Sequence, residues 1–175
     1  KSVVVVAAYS KNMYSNFWMN GASHRIMVPF QYYSDELNAD KLKGILLKDI
    51  IKTPDRRVVD VSSKIPLKLL AARSGLGRYA RNGLVFVDGM GSYNVLHAFL
   101  TDHPFSEDHW TSLQILEECN RCHACERTCP TRCINRWSYS VNIDKCLTLY
   151  NESQGEFPSF ILGSMHHALP RPGRC

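Results

Sequence analysis

The sequence predicts an α+β chain, with a mixed α/β layer over residues 1–106 and a small cysteine-rich unit over residues 107–175. Three observations carry this. Strand-like and helix-like segments alternate through the first part, the pattern of helices layered on a sheet. Past residue 107 periodic segments almost stop, apart from "LQIL" at 113–116. All seven cysteines fall between Cys119 and Cys175. At 175 residues and 45% apolar content the chain can bury a real core and is not expected to be disordered.

Taken in order, "SVVVVAAY" at 2–9 is rich in β-branched residues and reads as a strand buried on both faces. The stretch that follows, rich in Asn, Ser, Met and aromatics, reads as a loop up to Pro29. A helix is expected next, with Ser34 as N-cap, apolar Leu37, Leu42, Ile45, Leu46, Ile50 and Ile51 on its inner face, and Pro54 as its stop. "RRVVDV" at 56–61 reads as a short strand. "IPLKLLAAR" at 65–73 reads as a helix with Pro66 in the first turn and Gly75 as its cap. "GLVFVDG" at 83–89 and "GSYNVLHAFLTD" at 91–102 flank a turn at Gly89 and Gly91, and a hairpin is the economical reading.

Lys and Arg exceed Asp and Glu by 21 to 16, a net charge of +5 without any continuous basic run. Such an excess is compatible with a polyanionic partner and equally with the ordinary charge of a small soluble protein. The longest apolar run, "VVVVAAY", is far short of the roughly 20 residues of a membrane-spanning helix. No secretory signal stands out, so no membrane partner and a cytoplasmic setting are expected. A chain that opens inside a strand and stops on Cys175 reads as a fragment cut at both ends.

The chemistry lies in "CNRCHACERTCP" at 119–130. A disulfide framework is disfavoured by the odd count and the missing signal. Zinc sites pair two C-x2-C knuckles across a longer gap, whereas here three cysteines follow one another at C-x2-C-x2-C. The bacterial ferredoxin run is C-x2-C-x2-C-x3-C-P, whose fourth cysteine serves the other cluster of a pair. Cys119, Cys122, Cys125, Cys129 and Pro130 match it at every position, which points to [4Fe-4S] chemistry. Two such clusters need more thiolates than Cys133, Cys146 and Cys175 can add. Cys133 itself reads as a free thiol in a small buried slot.

Four motifs in order, "AARSGLGRYARNGLVFVDGMGSY" at 71–93, "LTDHPF" at 100–105, the cysteine run with "CPT", and "NIDKCLTLYNE" at 142–152, resemble the epoxyqueuosine reductase family. These are cobalamin and iron–sulfur enzymes of queuosine synthesis, distantly related to reductive dehalogenases. The resemblance covers most of the chain. It implies a corrinoid-binding α/β layer followed by a ferredoxin-like double-cluster unit, two [4Fe-4S] clusters, and cobalamin. By that comparison Cys119, Cys122 and Cys125 serve one cluster, and Cys129, Cys146 and Cys175 the other. Cys175 would be the first cysteine of a further C-x2-C-x3-C-P segment.

The resemblance also implies that Asp60 is the acid that protonates the substrate beside cobalt, a role requiring a buried, protonated carboxyl. The family runs Asp-Thr-Gly-Pro at that point. This chain has "DVSSKIPLK", and Asp60 could equally be a strand-end surface residue. Val85, Leu96 and Thr148 match positions near the corrin, and read equally well as strand core or a local cap. "GLGRYA" satisfies the dinucleotide pattern but follows a helix and precedes a strand, against that reading. Its glycines either cap and turn the chain or lie against the corrin. No histidine is assigned a role, although His97 and His103 could approach a cofactor, and His166 and His167 read as surface residues. A flavodoxin- or ferredoxin-type electron donor and a tRNA substrate are the implied partners. The alternatives are an electron carrier without corrinoid and a reductive dehalogenase relative.

Overall fold

A computed structural model describes residues 1–29, 37–53, 55–136, 139–162 and 165. In chain order it has β1 (Ser2–Tyr9), β2 (Asn12–Met19), β3 (Ala22–Pro29), α1 (Ala39–Ile45), β4 (Val58–Asp60), α2 (Leu67–Arg73), β5 (Arg78–Tyr79), β6 (Val85–Phe86), β7 (Asn94–Thr101), α3 (Ala124–Thr128) and α4 (Leu147–Glu152). The main sheet has the order β1-β7-β4, with both outer strands antiparallel to β7. Val5 lies opposite Ala98, and Asp60 opposite Phe99.

The expectation that "SVVVVAAY" packs on both faces holds. Alternate residues of a strand face opposite ways. Val4, Val6 and Ala8 pack with Leu42, Leu46, Ile51, Val58 and Phe99 on the α1 side. Val5 and Ala7 pack with Ala71, Val85 and Val87 on the α2 side. Phe99 and Leu46 are among the largest fully buried side chains, so the sheet is held between two apolar layers.

Several expected elements differ. The stretch read as a loop is a hairpin of β2 and β3. Its turn is Asn20-Gly21, both at positive φ, and an Asn-Gly pair in that conformation matches the twist of the strands it joins. The helix expected from Ser34 to Pro54 is described only from Ala39, capped by Asn38, whose side chain accepts from the Lys41 N–H at 2.9 Å. Ser34 and Pro54 lie outside the described residues. After Ile45 the helix widens into a π turn, Leu46–Ile51, and ends at Lys52 in the left-handed conformation.

The expected hairpin of 83–89 with 91–102 is also replaced. The chain does reverse through Gly89 and Gly91, with Val87 and Gly91 bonded to each other. Beyond the turn, however, the Asn94 amide donates to the carbonyls of Val85 and Gly91, occupying the ladder. β7 therefore leaves to pair with β1 and β4, and β6 pairs with β5. α2 ends as expected, with Gly75 at φ +76° just past Ser74.

Gly77 belongs to tight packing: a Cβ there would stand 2.6 Å from Val85 Cγ1 and 2.7 Å from the Phe86 carbonyl oxygen. Gly77→Ala is expected to destabilise the protein by about 1–3 kcal/mol, the usual cost of overpacking a dense core. Urea midpoints of the full-length protein measure it. Gly44→Ala, where nothing lies within 4 Å, serves as the mild control.

Candidate functional site

The cysteine run is fastened to the α/β layer by backbone pairing. Tyr79 of β5 donates to the Gln114 carbonyl at 2.7 Å, and Leu116 donates back to the Tyr79 carbonyl at 3.0 Å. Upstream, Thr111 donates to the Arg73 carbonyl at 2.7 Å, and the Arg73 guanidinium covers the Trp110 ring. This fixes the entry of the chain into the turn Glu117–Asn120, where Cys119 is buried against Ala80 and Leu116.

From there the cysteines are spread along consecutive tight turns. Cys122 donates its N–H to the Glu118 carbonyl, Cys125 lies buried in α3, and Cys129 follows α3 with its N–H on the Cys125 carbonyl. Among the described residues, no three Cys, His, Asp or Glu side chains converge on one point as ligands of a single ion would. A cubane attaches each thiolate to a different iron, so its ligands stand on separate corners.

Cys133 is a buried thiol, as expected, but not an isolated one. Its Sγ lies 3.4 Å from that of Cys129. The Cys133 S–H donates to Cys129, and with help from the Thr131 hydroxyl this outweighs burial and holds Cys129 well below the ordinary thiol range. Cys133, which keeps the shared proton, is pushed up by that same bond, by burial and by the charges of Cys129 and Cys146. The contact thus favours a thiolate on one sulfur of the pair, the form that ligates metal. Cys146 stands at the N-cap of α4, and its charge adds to the influences that push Cys133 up. Cys175 lies outside the described residues.

No protein-family model matches the chain. Over 112 residues it is 30% identical to an epoxyqueuosine reductase of Staphylococcus aureus, an alignment covering 61% of this chain and 27% of that protein. It is 23% identical to the epoxyqueuosine reductase of Cellulophaga algicola over 187 aligned positions, 89% of this chain and 59% of that protein. The chain is a relative of the epoxyqueuosine reductases. It spans less than two thirds of the length of these relatives. Its fold is that of a solved epoxyqueuosine reductase from Streptococcus thermophilus, with a TM-score of 0.70, 20% identity, and coverage of 95% of this chain and 45% of that one. A further solved epoxyqueuosine reductase, holding an epoxyqueuosine-modified tRNA-Tyr stem loop, matches with a TM-score of 0.54 and 27% identity over 69% of this chain and 31% of that one.

In this epoxyqueuosine reductase relative, Asp60 closes β4 with an exposed side chain. Its carboxylate accepts from the Ser62 hydroxyl and from the Ser62 N–H at 2.9 Å. The Ser62 hydroxyl bond is the largest influence. With the backbone bond and the nearby His97 it outweighs desolvation and holds the carboxyl below its usual range. Asp60 is therefore ionised at neutral pH and is not the buried, protonated acid that the proposed role requires. Ser62 Oγ also lies 3.5 Å from His97 Nδ1, while His97 Nε2 meets the Leu37 carbonyl at 3.0 Å. Sequence reasoning missed Ser62, since only the fold brings β4 beside His97 of β7. His103 has a buried Nδ1 without a partner, its ring edge-on to Phe105.

Val85 is buried and Leu96 packs against the same cluster on the α2 side of the sheet, whereas Thr148 is exposed on α4. Asp60 shares the face of Val58 and Phe99, so the structure does not bring it together with Val85 and Leu96. An open groove of about 900 Å³ between β1 and the end of α2 is lined by Val3, Val5, Leu70, Leu76, Phe105 and Trp110, and includes none of these four residues.

A depressed folded-state pKa for Asp60 adds stability above its unfolded value, lost as pH falls through the folded value. Ser62→Ala is expected to raise the Asp60 midpoint toward the ordinary range and shrink that acid-side loss. Carboxyl-carbon NMR titration reads both; an unmoved midpoint contradicts the assignment.

Proposed function

We propose that the chain is part of a cytoplasmic, cobalamin-dependent iron–sulfur reductase of the epoxyqueuosine type. Its α/β layer, residues 1–106, would bind the corrinoid, and a ferredoxin-like unit over 107–175 would hold two [4Fe-4S] clusters. The observation that carries this reading is a ferredoxin-type cysteine run seated by Tyr79, Leu116 and Cys119 on an α/β layer, in a chain related to these reductases along most of its length. No helix among the described residues is long and apolar enough to cross a membrane.

The donor set suits clusters: thiolates alone, on separate turns, with Cys119 and Cys125 shielded from water. Cys119, Cys122 and Cys125 would hold one cluster, and Cys129, Cys146 and Cys175 would serve the other. Bound cobalamin supplies a low-valent, strongly nucleophilic cobalt once electrons arrive from a flavodoxin- or ferredoxin-type donor. Loss of an epoxide oxygen as water consumes two electrons and two protons, and the chain's own task is to position the substrate and deliver protons.

Asp60 is the residue we assign to proton delivery. Because it is ionised in this structure, it would have to take up a proton before it could deliver one, and Ser62, which donates its hydroxyl to the carboxylate, is the group that holds it in place. Val85 and Leu96 would contact the corrinoid from the α2 side of the sheet, whereas Asp60 lies on the opposite face. Thr148, on α4, would approach the corrinoid from the cluster unit. The tRNA held by a solved relative and the net charge of +5 support tRNA as the substrate, with phosphate contacts that weaken as salt rises.

Anaerobic reconstitution of the full-length protein with cobalamin is expected to leave corrin absorbance after gel filtration. Asp60→Asn is expected to keep that absorbance and lose roughly a hundredfold or more in turnover of epoxyqueuosine-containing tRNA. A protein that holds clusters but no corrinoid would be an electron carrier. Turnover of an organohalide but not the tRNA would indicate a dehalogenase relative.

A further inference from the structure

We propose that Arg81 is the counter-charge of the cluster held by Cys119, Cys122 and Cys125, and that it sets that cluster's reduction potential. The inference rests on the cluster reading above.

Arg81 is only 6% exposed, and it reaches the cluster of Ala80, Leu116 and Cys119 through the Cys119 carbonyl and through Tyr139, which packs against that cluster. One Nη donates to the Cys119 carbonyl at 3.2 Å, and the guanidinium carbon lies 5.3 Å from the centre of the Tyr139 ring. Its Nε is buried with no hydrogen-bond partner among the described residues. Among the described residues, no carboxylate lies within ion-pair distance of it. Buried arginines are rare unless paired, because burying a charge is costly unless an anion or a full set of acceptors offsets it. A carbonyl and a ring face offset it only in part.

An all-thiolate [4Fe-4S] cluster is an anion in both redox states and more so when reduced. Its sulfurs accept hydrogen bonds, and such bonds and local charge are what tune its potential. A guanidinium anchored on the carbonyl of the first ligand, with its buried Nε–H unspent, meets both needs. It stabilises the reduced cluster more than the oxidised one, so it raises the potential. Arg81 acts through the cluster and is a positioning residue.

The test compares wild type, Arg81→Lys and Arg81→Met in the full-length protein, reconstituted anaerobically with iron and sulfide. Iron and sulfide content, EPR-monitored redox titration, and urea midpoints with and without clusters are measured. Arg81→Met is expected to disfavour reduction of one cluster by at least about tenfold, a shift of about 59 mV to more negative potential for a one-electron couple. Arg81→Lys keeps the charge and stays within about threefold. Without clusters, Arg81→Met is expected to be no less stable than wild type, since it removes an uncompensated charge. With clusters it is less stable. Iron lost from Arg81→Met but retained by Arg81→Lys also supports the proposal. An unchanged potential, or an equal loss of stability with and without clusters, overturns it and leaves Arg81 a structural anchor. A wild type that binds no iron overturns the cluster reading and this inference together. A loaded wild type with an indifferent Arg81→Met overturns this inference alone.

Discussion

The short backbone pairing between Tyr79 and the segment from Gln114 to Leu116 is the constraint on which the rest of the site depends. It ties the cysteine run to the α/β layer one residue from Ala80, whose small side chain is completely buried. That contact places Cys119 against a floor of Ala80 and Leu116, and the same turn buries Arg81 beneath it. Without this pairing the cysteine run would depend on the Thr111–Arg73 tether further upstream and on contacts from Cys119 onward for its position. Under the proposed reading, electron transfer from a cluster to a corrinoid on the layer would need a fixed separation, and this pairing is an element that would help to fix it.

The layer is built to hold that element still. β7 is paired on both edges and packed on both faces, with Phe99 on the α1 side and Leu96 on the α2 side. The turn from Gly75 to Val87 rests on the α2 side, where Gly77 lets the backbone approach Val85 and Phe86 too closely for any side chain. Asp60, Ser62 and His97 occupy the other face. The sheet thus separates Asp60, Ser62 and His97 from the surface against which Cys119 packs.

Most of this order was legible in the sequence where one residue type suffices to signal it. Runs of β-branched residues announced β1 and β4, and cysteine spacing alone carries the proposal of cluster chemistry. The β2–β3 hairpin was legible too, in Asn20-Gly21, but the polar and aromatic content of its strands hid it. β6 was paired with the wrong neighbour because the competing partner is a side chain, Asn94, that no periodicity reveals. The ionised state of Asp60 depends on Ser62, two residues on, and on His97, far along the chain. The burial of Arg81 depends on residues near 116 to 119 and 139. Contacts of that range leave no local trace.

The central claim is that these thiolates hold cubane clusters. Mössbauer spectroscopy of the full-length protein, isolated without oxygen from iron-enriched cells, tests it most directly. The account predicts the paired-iron quadrupole doublets of [4Fe-4S] clusters, diminished by Cys122→Ser. A spectrum of isolated thiolate-bound iron, or a protein that retains zinc and no iron, would contradict it.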